Sequence, residues 1–218
     1  MKGLYIKDIR LLLKQKTFFL VIIFLSIFNA MNLKNIAVVP SLMIFFLVSL
    51  VFTTITYDEI DHGLTFLFTL PISRKKYVGG KYLLSIAIIG IALLVSLGII
   101  VVMNKVQNQS IVAEQLSVTF GFVCLLGMLY MSLLMPIYFK FGAEKSRLIL
   151  ILVIGTILFL SFAGSYLVEK LDINLVNQLN VILTQPTWLL VSVSLAITAI
   201  AVALSYILSV SIVKKKEL

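Results

Sequence analysis

The residues best suited to chemistry are gathered in one segment, DEIDHGLTFLFTLPISRKKYVGGK, at residues 58–81. It opens with three acids and His62, and neighbouring carboxylates can serve acid–base catalysis, although acids at a helix start are also favoured by the helix dipole. The single histidine has no second His or Cys nearby for a metal site and no nucleophile beside it. Gly79, Gly80 and Lys81 approach a phosphate-binding loop, but tyrosine follows the lysine where Ser or Thr is needed. The segment therefore predicts no catalytic residue, metal or cofactor.

The rest of the chain is too apolar for a soluble domain. Of 218 residues, 61% are hydrophobic and 12% are charged, and the mean hydropathy is +1.14. A bilayer core about 30 Å thick requires roughly 20 apolar residues of helix, in which all backbone polar groups are paired. Six such runs predict an all-α membrane bundle, because they are too long for barrel strands and lack their alternation. The predicted spans are 17–33, 36–57, 82–103, 118–139, 148–168 and 187–213.

The basic residues predict how the spans are oriented. Fifteen of the 18 Lys and Arg residues fall in alternate connections, and only Lys34, Lys105 and Lys170 occupy the others. The positive-inside rule then predicts a multi-pass protein of the cell membrane with both termini in the cytoplasm. Together with binding to anionic membrane lipid, this arrangement explains the net charge of +9 and excludes nucleic acid as a partner.

Two segments outside the spans have the periodicity of interfacial helices. Residues 1–16 separate an apolar side from a basic one, although a basic flank that only sets topology is the alternative interpretation. The apolar side carries Tyr5, Ile9, Leu12 and Leu13. Residues 169–186 repeat leucines at helical spacing among amides, which predicts an external interfacial segment. Since no stretch is long enough to bury a soluble core, we expect one domain over residues 1–218.

The spans themselves predict dependence on an outside source of energy. They contain no Asp, Glu, Lys, Arg or His, whereas transport coupled to ions or protons relies on such groups. The connection between spans two and three can provide a contact with a protein that supplies this energy. A short helix over residues 63–70, ended by Pro71, would place Leu64, Leu67 and Phe68 in a groove on a cytosolic motor protein.

The order of residues in this connection resembles the cytoplasmic coupling loop of type-2 ABC exporter permeases. An acidic pair, a glycine, a Leu/Phe helix, the run Leu70-Pro71-Ile72-Ser73-Arg74 and a Gly-Lys before span three follow that pattern. The resemblance extends to the six-span topology, and the small size is similar to the lantibiotic-immunity and phenol-soluble-modulin exporters of Gram-positive bacteria. It implies a dimer of permeases, with a second copy or a paralogue, that works with two separate ATP-binding subunits.

The resemblance also implies which residues contact those subunits. The ATPase-docking element would comprise Asp58, Glu59, Gly63, Leu64, Leu67, Phe68, Leu70, Pro71, Ser73 and Arg74. The connection KFGAEKSR between spans four and five would supply a second contact, unless it is only a topogenic turn. Its candidate residues are Lys140, Glu144, Lys145 and Arg147.

These observations predict a non-catalytic subunit of an ATP-driven exporter for an amphipathic peptide, lipid-like molecule or drug. The cargo path would lie between two protomers and be lined by spans one, two and five. The alternative function is a non-transporting immunity or scaffold protein that binds a toxin or a sensor in the bilayer. An intramembrane enzyme is disfavoured, because paired acids and metal-spaced ligands are missing from the spans.

Overall fold

The computed structural model describes residues 2–31, 36–59, 63–69, 73–107, 113–170 and 187–216. Within these residues every regular element is a helix and there are no strands, which confirms the predicted all-α class. The helices are α1 (Lys2–Lys14), α2 (Lys16–Ala30), α3 (Val38–Glu59), α4 (Gly63–Thr69), α5 (Arg74–Gln107), α6 (Ala113–Lys170) and α7 (Thr187–Lys215).

Four of these helices are long and apolar enough to cross a membrane: α3, α5, the first part of α6 and α7. Helices α1 and α2, bent by 65° where they meet, would make a fifth if the pair forms one span. The predicted span 148–168 lies in the second part of α6, after a break at Gly142. A described helix overlaps each of the six predicted spans, while length and composition alone support four or five. Most of the predicted external segment, residues 171–186, lies outside the described residues.

The helices on both sides of the 58–81 connection are longer than the predicted spans. Helix α5 begins at Arg74 instead of Tyr82 and has 34 residues, about 50 Å of helix against a bilayer core of about 30 Å. Lys81 is therefore a helical residue near the start of α5. Asp58 and Glu59 end α3, so the interpretation that these acids open the next helix is wrong.

Helix α3 is the centre of the packing. It contacts α1, α2, α4, α5 and α6, and about half of its residues are buried. A Cβ added to Gly127 of α6 would lie 2.7 Å from Ile44, so a glycine allows α3 and α6 to approach closely there. Nearby, the rings of Phe52 and Tyr138 stack at 4.6 Å. These contacts hold α6 against α3 along much of its first part.

Both ends of the described chain lie at the same end of the bundle. Asp8 of α1 contacts the start of α5, and Lys216 after α7 contacts Glu59 at the end of α3. We call this the inner end, because the distribution of basic residues predicts that it faces the cytoplasm. At the opposite, outer end, Ala30, Val39 and Ile100 form a small separate apolar cluster.

Candidate functional site

The described residues of the predicted docking element lie at the inner end. Several elements converge there: α1, the end of α3, α4, the start of α5, the break in α6 and the end of α7. Helix α4 follows α3 after residues 60–62 and packs against it. A Cβ at Gly63 would lie 2.8 Å from the backbone oxygen of Asp58, a contact that real Cβ atoms do not make. Glycine at this position is therefore what allows α4 to turn back so closely on α3.

The two leucines of α4 face the protein itself. Leu64 and Leu67 are each only 8% exposed and belong to the main hydrophobic core. The sequence analysis predicted that these two side chains face a partner, whereas in this structure they attach α4 to the bundle. Phe68 lies in α4, but its side chain is outside the described part, as are Leu70 and Pro71.

Glu59 joins the two predicted cytosolic contacts. Its Oε1 accepts a hydrogen bond from Lys216 Nζ at 2.5 Å. Its Oε2 lies 2.7 Å from the place where Gly142 would carry a Cβ. Gly142 breaks α6 with φ 69° and ψ −178°, a backbone conformation that is almost restricted to glycine. The first connection, the second connection and the chain end therefore meet at one carboxylate.

Ser73 and Arg74 act on helix ends. The Ser73 hydroxyl accepts a long hydrogen bond of 3.4 Å from the Lys76 N–H in the first turn of α5. Arg74 donates through Nη1 to the backbone oxygens of Val213 at 3.2 Å and Lys214 at 2.5 Å. A guanidinium at the negative end of a helix dipole satisfies carbonyls that have no partner within the helix. Arg74 thus ties the start of α5 to the end of α7.

In the predicted second contact, Lys140 and Lys145 are exposed. The Lys140 ammonium lies 4.9 Å from the ring centre of Phe141. Glu144 and Arg147 follow on the second part of α6, and their side chains lie outside the described part. The structure therefore brings this connection to the inner end, beside Glu59.

Beneath this surface lies a buried charge cluster that the sequence analysis missed. Lys81 has no exposed surface. Its ammonium donates to Asp8 Oδ2 at 2.8 Å and Thr54 Oγ1 at 2.9 Å, and it forms an ion pair with Asp58 Oδ2 at 2.8 Å. Lys7 pairs with Asp58 Oδ1 and lies 3.5 Å from Asp8 Oδ1. Two lysines therefore neutralise two aspartates that are 1% and 4% exposed.

Tyr77 completes the cluster. Its hydroxyl donates to Asp58 Oδ2 at 2.9 Å, and its ring centre lies 5.6 Å from Lys81 Nζ. Buried charges are tolerated only when paired and hydrogen-bonded, and here α1, α3 and α5 each contribute partners. We use "buried charge cluster" for Lys7, Asp8, Asp58 and Lys81.

A signal for this cluster exists in the sequence. Leu4, Asp8 and Leu12 are spaced by four residues, so they share one side of α1, and all three are buried. Of the predicted apolar side of α1, Leu12 is buried, whereas Ile9 is 46% exposed and Leu13 is 60% exposed. An acid in the middle of a buried helical side indicates a basic partner, but the sequence does not say which one.

This arrangement is built for holding helices together. Among the described residues no group of three or more His, Cys, Asp or Glu side chains is placed to hold a metal ion. Each acid of the buried charge cluster is engaged by a lysine, as is Glu59. The chemistry of the inner end is therefore that of ion pairing between helices, next to a short helix that is firmly attached at the surface.

Comparison with known proteins agrees with this architecture. A family model described as an ABC-2 family transporter protein matches residues 3–214, which is nearly the whole chain. A search of curated proteins gave no match. The match includes α1, the connection containing α4 and all the membrane helices described above. The chain therefore belongs to the ABC-2 family of transporter membrane proteins.

Proposed function

We propose that the chain is the membrane subunit of an ATP-driven exporter and that separate ATP-binding subunits engage its inner end through α4. Membership of the ABC-2 family makes the protein a transport permease. The observation that carries the finer proposal is the attachment of α4, a short helix at the inner end. Leu64 and Leu67 are buried, and Gly63 allows the start of α4 to lie close to the end of α3.

Such an attachment is what force transmission requires. A helix that hung loosely from the bundle would move without moving the spans. Leu64 and Leu67 are packed in the main core, and Gly63 holds the start of α4 against the last turn of α3. Since α3 is the centre of the packing, a push on α4 is delivered to the whole bundle.

The burial of Leu64 and Leu67 changes their proposed role. They attach the coupling helix to the permease, and the partner contacts the side of α4 that faces away from α3. Thr69 on α4 and Ser73, Lys75 and Lys76 after it are exposed at this surface. Exposed lysines of the second connection, Lys140 and Lys145, would extend the contact.

The cargo is proposed to be amphipathic. An open groove of about 500 Å³ between α5, α6 and α7 has an almost entirely apolar lining that includes Tyr82, Met128 and Thr198. Such a surface suits hydrocarbon or apolar side chains better than an ion, which requires local compensation in the membrane. This groove lies on spans three, four and six, so it indicates the kind of cargo and is separate from the path predicted between two protomers along spans one, two and five, which stays a prediction.

Co-purification tests the docking proposal. The tagged chain is expressed with each candidate ABC ATPase from its own genome and solubilised in mild detergent, and the retained ATPase is quantified per permease. We expect the wild-type chain to retain the ATPase and Thr69→Arg to lose it, because a large cation would occupy the contact. Ser117→Arg, an equally exposed hydroxyl position at the outer end, is the matched control.

Two outcomes would contradict the proposal. If the wild-type chain never retains an ATPase, the protein works without one, as the immunity or scaffold function predicts. If Thr69→Arg retains as much ATPase as Ser117→Arg, docking does not take place at α4.

A further inference from the structure

We propose that Lys81 is a positioning residue that fixes α1 to the inner ends of α3 and α5, so that the three move as one body when the transporter changes state. The part concerning transport rests on the proposed function. The attachment itself rests only on the geometry of the buried charge cluster.

The ammonium of Lys81 is placed to join three elements. It belongs to α5, donates hydrogen bonds to Asp8 of α1 and Thr54 of α3, and forms an ion pair with Asp58 of α3, all at 2.8–2.9 Å. Thr54 in turn donates to the backbone oxygen of Val51, so its lone pairs face the lysine. No other side chain in the described residues ion-pairs with both α1 and α3 from a third helix.

Loss of ion pairs makes separation of α1 unfavourable. If α1 moved away with Lys7 and Asp8, the pairs Lys81–Asp8 and Lys7–Asp58 would both break, while Asp58 and Lys81 would still neutralise each other. Each of these two buried residues would then keep one charged partner in place of two, and charge-assisted bonds are the strong ones. Movement of α1 together with α3 and α5 leaves every pair intact.

Contacts along the length of α1 support the same attachment. Near its start, a Cβ at Gly80 of α5 would lie 3.2 Å from Leu4 Cδ2, so the Leu4 side chain packs against the backbone of α5. Leu12 is buried in the main core. Just beyond the helix, Gln15 Nε2 donates to Thr53 Oγ1 of α3 at 3.2 Å. The buried charge cluster therefore lies in the middle of a continuous contact.

This attachment gives α1 a role in transport. Helix α4 packs on α3, and Asp58, near the corner that Gly63 allows, bonds to Lys7, Tyr77 and Lys81. A displacement delivered to α4 thus reaches α1 through Asp58 without passing through the membrane interior. The exposed Ile6, Ile9 and Leu13 of α1 would carry that displacement to the membrane surface.

The first test needs no ATPase and no cargo. Leu12→Cys is introduced into a Cys124→Ala chain, and its reaction rate with a water-soluble maleimide is measured in lipid nanodiscs. We expect Lys81→Met to raise this rate roughly tenfold or more, because α1 opens away from the bundle. The same change should leave Val213→Cys protected, since Val213 is buried at the inner end outside the cluster.

Two further variants keep this test decisive. Lys105→Met, a lysine at the other end of α5, should not alter the rate at Leu12→Cys. Lys81→Met combined with Asp8→Leu should restore protection, because Asp58 and Lys7 then neutralise each other and no unpaired charge remains. If Lys81→Met leaves Leu12→Cys protected, or exposes Val213→Cys equally, the attachment is overturned. If Lys81→Met fails to fold, Asp8→Asn is used and should give a smaller rise.

The second test asks whether α1 moves with α5 during transport. Leu4→Cys and Gly80→Cys are combined and joined by a short thiol cross-linker, since loss of the leucine removes the atom nearest to the new Cβ. ATP-driven uptake of a fluorescent amphipathic peptide into proteoliposomes containing the ATP-binding subunits is then measured. We expect the linked and unlinked proteins to agree within about twofold, because the link joins parts that already move together.

The outcomes separate this inference from the proposed function. A loss of about tenfold or more on linking, reversed when the link is cleaved, would show that α1 must leave α5 and would overturn the inference. If the unlinked protein shows no ATP-driven uptake, the proposed function fails, and the labelling rates at Leu12→Cys alone decide the attachment.

Discussion

The inner and outer ends of this bundle are held together by different kinds of contact. Every ion pair among the described residues lies at the inner end, where all but Lys7–Asp8 connect different elements, and Arg74 adds bonds to the end of α7. At the outer end, Ala30, Val39 and Ile100 pack in a small apolar cluster, and Gln107 donates to the backbone oxygen of Met31. Charged hydrogen bonds fix distance and direction, whereas apolar contacts are non-directional. The contrast favours a transporter whose inner end moves as a unit while its outer helix ends separate.

The largest expected effect is the loss of Lys81. Lys81→Met leaves two buried aspartates with one partly exposed lysine, which should lower the free energy of unfolding by about 3–5 kcal/mol. Adding Asp8→Leu should recover most of this loss, because one carboxylate and one ammonium then remain. Unfolding in mixed micelles for both single variants and the double variant measures the coupling. If the two single losses simply add, the cluster does not hold the inner end.

The next effect is expected at the break in α6. Gly142→Ala should cost about 1–3 kcal/mol, because φ 69° with ψ −178° is a strained conformation for any residue with a Cβ. The Glu59 carboxylate also lies against this position and would crowd a Cβ. The double variant Gly142→Ala with Glu59→Ala therefore shows whether backbone strain or this crowding dominates the loss of stability. We expect the double variant to remain as unstable as Gly142→Ala in the same unfolding measurement. Full recovery would show that crowding by the carboxylate, not backbone strain, requires the glycine.

A change at Gly63, where α4 turns back on α3, should affect the coupling of the permease to ATP hydrolysis more than the stability of the fold. Gly63→Ala places a Cβ against the Asp58 backbone oxygen, and α4 must shift at a cost of about 1 kcal/mol. We expect stimulation of the partner's ATP hydrolysis to fall, while the amount of bound ATPase falls less. Gly90→Ala is the control, since no atom lies within 4 Å of a Cβ there. Equal behaviour of the two variants would mean that the position of α4 is not critical.

The smallest effects compare one helix-end contact from each end of the bundle. Arg74→Ala removes the donor to the last carbonyls of α7 and should cost about 1 kcal/mol, and Arg74→Lys should recover part of it. Gln107→Ala removes the bond to Met31 and should cost less, because an exposed neutral hydrogen bond is replaced by water. Thermal unfolding ranks the two. A larger loss for Gln107→Ala would reverse the proposed difference between the ends.

Several features of the fold followed directly from local sequence. The apolar runs predicted the helices, and the glycine after the acids with the proline beyond it located α4 between α3 and α5. Helix ends were less well predicted, because Lys81 and Asp58 look like loop residues when charge is taken as a sign of solvent. Both are helical and buried, since the charge of each is neutralised by partners from other helices.

The sequence also did not show which side of each short helix packs against the rest of the protein. For α4, periodicity identified Leu64 and Leu67 as an apolar side, but a partner's groove and the chain's own core demand the same pattern. For α1, Ile9 and Leu13 were as apolar as Leu4 and Leu12, and only the packing against α3 and α5 shows which pair is buried.

By itself, the sequence determined that this protein is a helical membrane bundle with a short helix between its second and third spans, because hydropathy and helix periodicity act over neighbouring residues. Tertiary structure alone decided that Asp8, Asp58 and Lys81 meet, and that the leucines of α4 face inward. Ion pairing depends on distance in space, and residues 73 positions apart in the chain carry no local sign that they will touch.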